Sequence, residues 1–159
     1  MKRSILFVCL GNICRSPAAE AICLYKLAEQ GLQDDFNVDS AGTGGWHVGR
    51  MADSRMRDAA LNRGITIESR ARQISLDDFE SFDLILTMDD SNLNDVKSLS
   101  IDSKNTSKAK IIPLLEYAQN TNLLEVPDPY YGGENGFNQV LDLLDDAING
   151  LIIDLKNSF

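Results

Sequence analysis

Cys9 and Arg15 stand with five residues between them in Cys9-Leu10-Gly11-Asn12-Ile13-Cys14-Arg15-Ser16, directly after the apolar run Ser4-Ile5-Leu6-Phe7-Val8. Such a run reads as a buried strand feeding a tight turn into a helix. A thiol at that turn lies where unpaired backbone N–H groups and the positive end of a helix dipole converge, which favours a bound anion and favours thiolate over thiol. A planar guanidinium at Arg15 can hold two oxygens of a phosphate while the intervening amides hold the rest. Nucleophile and anion cradle then come from one loop. Ser16-Pro17 predicts the helix start, the serine hydroxyl capping the first turn and proline losing nothing at the first helical position. The same hydroxyl has a second possible role, a hydrogen bond that holds the Cys9 sulfur as thiolate. An ordinary strand, turn and capped helix with a core cysteine would require none of these residue types at these spacings.

A carboxylate is available in Val126-Pro127-Asp128-Pro129-Tyr130-Tyr131-Gly132-Gly133, where the prolines hold the backbone extended and leave Asp128 on a loop. From the residues alone, Asp128 as a proton donor and Asp128 as a turn-shaping residue are equally good readings. Aromatic residues make up 7% of the chain, so Trp46, after the flexible Gly42-Thr43-Gly44-Gly45 run, and Tyr130 stand out as loop residues off any amphipathic stripe. Residues of this kind can wall a slot for a planar ring or anchor a loop. We favour the slot. His47, the one histidine, is expected in a loop hydrogen bond rather than in catalysis. Cys23 shares a helix face with Ala19 and Leu27 and reads as core. No metal or other cofactor is expected: Cys9, Cys14, Cys23 and His47 lack paired zinc-site spacing, and the loop lacks the Gly-Lys-Ser/Thr ending of a nucleotide P-loop.

The elements that must position these groups alternate. Short apolar runs at 4–8, 37–40, 84–87 and 109–112 read as strands, and helices are expected over 17–30, 53–62, 90–98 and 136–156, with a turn at 76–82. The last helix is the clearest, since Phe137, Val140, Leu141, Leu144, Ala147, Ile148, Leu151, Ile152 and Leu155 fall on one stripe of period 3.6. Buried strands joined by helices imply right-handed crossovers and an α/β fold: a single doubly wound domain over 1–159, a central four-stranded parallel sheet with helices on both faces, and the phosphate-binding loop after strand 1. Ligands of such sheets bind at the carboxyl ends of the strands, where Cys9 is expected.

With 159 residues and 43% hydrophobic content, the chain can bury a core without disulfide staples. Three cysteines without paired spacing suit a reducing compartment. Lys2 and Arg3 precede an apolar run too short for a signal peptide and interrupted by Asn12 and Arg15, so a cytoplasmic protein is expected; a monomer is expected as well. A net charge of −9 argues against nucleic acid and against an anionic membrane surface as partners. Positive charge gathers locally at Arg50, Arg55, Arg57, Arg63, Arg70 and Arg72. That patch is either a docking surface for an anionic phosphoprotein or the solvated face of a short helix.

The segment Cys9 to Ser16 resembles the Cys-x5-Arg-Ser signature of protein tyrosine phosphatases, and its place near the start of a short chain resembles the low-molecular-weight family. Asp39-Ser40-Ala41-Gly42-Thr43, Met88-Asp89 with Ser91-Asn92-Leu93, and Pro127-Asp128-Pro129-Tyr130-Tyr131-Gly132 are similar to that family's other landmarks in order and separation. The resemblance implies Cys9 as nucleophile, Arg15 as phosphate clamp and Asp128 as general acid and base. It implies a substrate pocket of Leu10, Gly11, Asn12, Ile13, Cys14, Ser16, Trp46 and Tyr130, with Ser40 and Tyr131 behind it. Asn12 and Ser40 would brace the loop. Animal members carry a histidine in the region of Ser69, so the resemblance implies that this bracing is rebuilt or weaker here. The implied reaction is hydrolysis of phosphotyrosine in proteins, with phosphate as product and competitive ligand. Relatives with a cysteine at the Cys14 position use it to trap the oxidised nucleophile as a disulfide. Among rival readings, arsenate reductases of similar fold need later cysteines that this chain lacks, and a silent phosphoprotein-binding module would lack the nucleophile or the acid. Arginine phosphatases are closer, but they carry threonine at the Ile13 position and usually lack the paired tyrosines.

Overall fold

Strand β1 (Arg3–Cys9) turns Ile5, Phe7 and Cys9 to one face and Leu6 and Val8 to the other, and all five are buried in the computed structural model. Alternation with both faces buried is the mark of a central parallel strand. The structure describes residues 2–103, 108–131 and 134–158, without the side chains of Tyr131 and Glu134. Strands β2 (Phe36–Gly42), β3 (Leu84–Thr87) and β4 (Lys110–Pro113) complete a four-stranded sheet of order β2-β1-β3-β4, every pair parallel.

Helices α1 (Arg15–Glu29), α2 (Ser54–Leu61) and α5 (Glu134–Asn157) pack together on one face. Helices α3 (Asp78–Ser81) and α4 (Asp90–Ile101) cover the other, where Phe79 and Val96 meet Leu6, Val8 and Ile85. All nine apolar residues of the expected α5 stripe are buried. At Gly150 the helix passes so close to the Tyr117 carbonyl that no side chain would fit. The chain is a doubly wound α/β domain. Cys9 ends β1 between strands whose connections leave in opposite directions, which is where such sheets open a cleft.

The expected elements are present, with two physical corrections. Helix α1 begins at Arg15 rather than Pro17, with Cys14 at the cap position and no side-chain cap bond. Ser16 therefore lies inside the first turn and its hydroxyl does not cap; it is taken up by the active loop, as described below. The arginine-rich segment is also not a free basic face. Arg72 pairs with Asp39 and Asp78, Arg63 with Asp142, and Arg55 with Asp53, while Arg57 and Arg70 donate to the carbonyls of Ala52 and Gly49. Much of this charge staples elements together.

Candidate active site

Residues 10–14 form a loop whose carbonyls and amides are sorted. The carbonyls of Cys9, Leu10 and Ile13 turn outward and accept N–H bonds from Thr43, Gly44 and Asp53 at 2.9, 2.9 and 2.8 Å. No acceptor is found among the described residues for the backbone N–H groups of residues 10–14. Buried donors are ordinarily paired, so a ring of free ones is an anion cradle. Its shape depends on Asn12, which holds φ at +57°, the one described non-glycine residue in the left-handed region. Asparagine tolerates that conformation better than most residues. Its side chain fixes it there: Nδ2 donates to Ser16 Oγ at 2.8 Å and Ser40 Oγ at 3.0 Å, and Oδ1 accepts from the Arg72 amide at 3.0 Å. Gly42 lies beneath, where a Cβ would stand 2.8 Å from the Leu10 carbonyl.

Cys9 Sγ is buried at the loop's floor, 3.0 Å from Ser16 Oγ. That hydroxyl accepts from Asn12 and has the Ala41 carbonyl at 3.4 Å as a second acceptor, so its one proton is shared between that carbonyl and the nearer sulfur. Ser40 in turn donates to Glu20 at 2.6 Å. Burial pushes the Glu20 carboxyl above its ordinary value and Asp39 adds to the rise, opposed by hydrogen bonds from Ser40 and Ser69 and by Arg72. Ser69 hydrogen-bonds Glu20, so the bracing of the loop runs from Asn12 through Ser40 to this carboxyl group.

The Arg15 side chain is 2% exposed. Its NH1 donates to Asp89 Oδ2 at 2.7 Å and to the Val126 carbonyl at 2.9 Å, while NH2 lies 3.6 Å from Asp128 Oδ2. Burial works against its charge, but the Cys9 sulfur, Asp89 and Asp128 together hold it above its ordinary value. With NH1 committed, the edge made by Nε and NH2 is left to face an anion. Asp89 is itself rigid, since it caps α4 in a reciprocal capping box with Asn92.

A pocket of roughly 380 Å³ opens above, lined by Cys9, Leu10, Gly11, Ile13, Cys14, Arg15, Trp46, His47, Asp128 and Tyr130. Trp46 and Tyr130, both exposed, form parts of its wall. Asp128 lies at the mouth, its Oδ1 accepting from the Tyr130 amide at 3.0 Å. The His47 carbonyl accepts from the Arg50 amide, and its imidazole packs over Gly11 and lines the pocket. Cys14 is buried beneath the loop; burial, then Asp53 and the Cys9 and Asp128 charges, pushes its thiol far up. No cluster of three or more potential metal ligands exists among the described residues, and none of the described helices is long and apolar enough to cross a membrane.

Residues 4–158 match the family described as low molecular weight phosphotyrosine protein phosphatase. The chain belongs to that family. It is 41% identical over 154 residues to the low molecular weight protein-tyrosine-phosphatase YfkJ of Bacillus subtilis, covering 96% of each chain. A protein tyrosine phosphatase from Entamoeba histolytica superposes with a TM-score of 0.91 at 41% identity over 99% of both chains. A Drosophila arginine phosphatase superposes with a TM-score of 0.92 at 34% identity over 98% of both.

In this low-molecular-weight phosphatase Cys9, Leu10, Gly11, Ile13, Cys14, Arg15, Trp46, Asp128 and Tyr130 line one pocket as expected, whereas Asn12 and Ser16, also expected in its lining, are buried with Ser40 and hydrogen-bonded to one another through Asn12. The Tyr131 side chain, Gly132 and Gly133 lie outside the described residues. Asp89 stood only as a landmark, without its role as partner of Arg15, and Glu20 was missed; the signal for Glu20 is its four-residue spacing from Ser16, which puts both on one helix face.

Proposed function

We propose that this phosphatase hydrolyses phosphotyrosine in protein substrates through a cysteinyl-phosphate intermediate. One observation carries the reading: a buried thiol and a fixed guanidinium at the floor of a pocket with Trp46 and Tyr130 in its wall and a carboxyl group at its mouth. The phosphotyrosyl ring enters between Trp46 and Tyr130. The cradle amides and the Nε–NH2 edge of Arg15 hold the equatorial oxygens, and Cys9 Sγ attacks phosphorus in line. The S–P bond forms as the P–O bond to the ring breaks, and protonated Asp128 gives its proton to the departing phenolate oxygen. Asp128, now ionised, takes a proton from the water that attacks the thiophosphate, and phosphate leaves with Cys9 restored. Asn12, Ser16 and Ser40 hold the loop in register for both steps.

The working form is a cytoplasmic monomer, with inorganic phosphate as a competitive ligand. Cys14 serves as redox partner: peroxide converts Cys9 to a sulfenic acid, the Cys14 sulfur displaces its oxygen as water, and a thiol reductant reverses the disulfide. Recovery from peroxide should then be lost in Cys14→Ser.

The decisive experiment measures turnover of phosphotyrosine and phosphoarginine peptides with chelator present. Phosphotyrosine hydrolysis should vanish in Cys9→Ser and fall by about 10²-fold or more in Asp128→Ala. A preference for phosphoarginine would overturn the substrate, and turnover of neither would overturn the activity.

A further inference from the structure

One guanidinium joins the two loops of the site. Arg55, in the first turn of α2, grips Asp53 with two bonds, Nε to Oδ1 at 3.1 Å and NH2 to Oδ2 at 2.9 Å. Asp53 caps the same helix and its backbone N–H holds the Ile13 carbonyl of the anion cradle at 2.8 Å. On its other side Arg55 reaches the segment after Asp128. NH2 lies 3.3 Å from the Tyr130 carbonyl, and Cζ sits over the Tyr130 ring at 5.4 Å and the Phe137 ring of α5 at 4.8 Å from their centroids. Tyr130 closes the path to the acid, since its amide donates to Asp128 Oδ1 at 3.0 Å.

We propose that Arg55 is a positioning residue that latches the Asp128 loop to the phosphate cradle. Ile13, Asp53, Arg55, Tyr130 and Asp128 are linked in series, so this side chain, beside the longer Arg15–Asp128 approach at 3.6 Å, holds the acid at its distance from the nucleophile. Energetics argue against a purely stabilising role. The Arg55 side chain is 47% exposed, and exposed ion pairs contribute little to stability. What the site requires is the planar fork, which meets a carboxylate edge-on and lies flat against two rings; a lysine ammonium can do neither. Asp128 must meet a leaving oxygen at hydrogen-bond distance, and small displacements of a proton donor cost large factors in rate.

The inference rests on the proposed role of Asp128, and its test separates the two. Wild type, Arg55→Leu, Asp128→Ala and the double variant are compared on a phosphotyrosine peptide and on 2,4-dinitrophenyl phosphate, whose phenolate leaves without a proton. Arg55→Leu should lower kcat/KM about tenfold on the peptide and less than about twofold on the dinitrophenyl ester. In the Asp128→Ala background the Arg55 substitution should add almost nothing, because both act through one proton transfer. Equal losses on both substrates, or a full Arg55 effect without Asp128, would overturn the latch. Hydrogen exchange reads the latch without turnover: the Tyr130 amide should exchange faster in Arg55→Leu while the Val126 amide, bonded to the Met88 carbonyl at 2.7 Å, stays protected. An unchanged Tyr130 amide would overturn the inference even where the phosphatase reading stands. Arg55→Lys, which keeps charge without the fork, should show the same selective loss and serves where Arg55→Leu does not fold.

Discussion

Replacing Asp89 separates two jobs performed by one carboxylate. Oδ1 accepts from the Asn92 amide at 2.8 Å as the cap of α4, and Oδ2 accepts from Arg15 NH1 at 2.7 Å. Asp89→Ala removes both. Loss of the cap costs about 1 kcal/mol, and loss of a hydrogen bond to a buried cation costs about 2 kcal/mol more. The sum of about 3 kcal/mol corresponds to a fall of roughly 9 °C in Tm for a chain of this size. Asp89→Asn keeps a good cap and a neutral acceptor, so it should lose only about 1 kcal/mol, or roughly 3 °C. Catalysis should divide differently, because Arg15 loses its charged anchor in both variants and kcat should drop by about tenfold or more in each. Urea unfolding and kcat on a phosphotyrosine peptide provide the two readouts. Equal stability losses in the two variants, or full activity in Asp89→Asn, would refute the double anchoring.

Other outcomes follow from groups shifted by burial. The Glu20 carboxyl is raised above its ordinary 4.5, so above that pH the native state binds more protons than the unfolded one. Stability is then lost as pH rises through the interval between the two values, and Glu20→Gln should flatten that decline in unfolding titrations at successive pH values. Burial pushes the Cys23 thiol up to about 12, and Cys14 is raised still further. Iodoacetamide at neutral pH should therefore label Cys9 and spare both other cysteines in the native protein, as peptide mass mapping would report. Phosphate at saturating concentration should protect Cys9 from the same reagent, and labelling unaffected by phosphate would argue against an anion in the cradle.

The loop from Cys9 to Ser16 was legible because its chemistry is local, with nucleophile, cradle and guanidinium supplied within one strand-to-helix turn. The sheet was legible for a related reason: alternation along β1 and the long stripe of α5 state which faces are buried. Of the two roles expected for Ser16, the contact to the Cys9 sulfur is present and the helix cap is not, because sequence cannot rank donors competing for one hydroxyl oxygen, and the Asn12 amide prevails over the backbone N–H groups of the helix end. The arginines between 50 and 72 were misread in part because their partners, such as Asp142 for Arg63, lie far along the chain. Asp89 and Val126 escaped notice as partners of Arg15 for that reason also, at separations of 74 and 111 residues. Local residue types announce what a site can do, whereas the groups that hold it still are chosen by topology.

The dependence of Arg15 on Asp89 and Val126 has a temporal consequence. The nucleophile and its cradle are synthesised together in one short segment, well before β3 and β4, yet the guanidinium is oriented only when the segments after those two strands have docked. Contacts so distant in the chain form late and slowly. Regain of activity during refolding should lag behind the burial of α1 and coincide with completion of the sheet. A nascent chain would thus carry its reactive thiol long before it could turn over a phosphate ester.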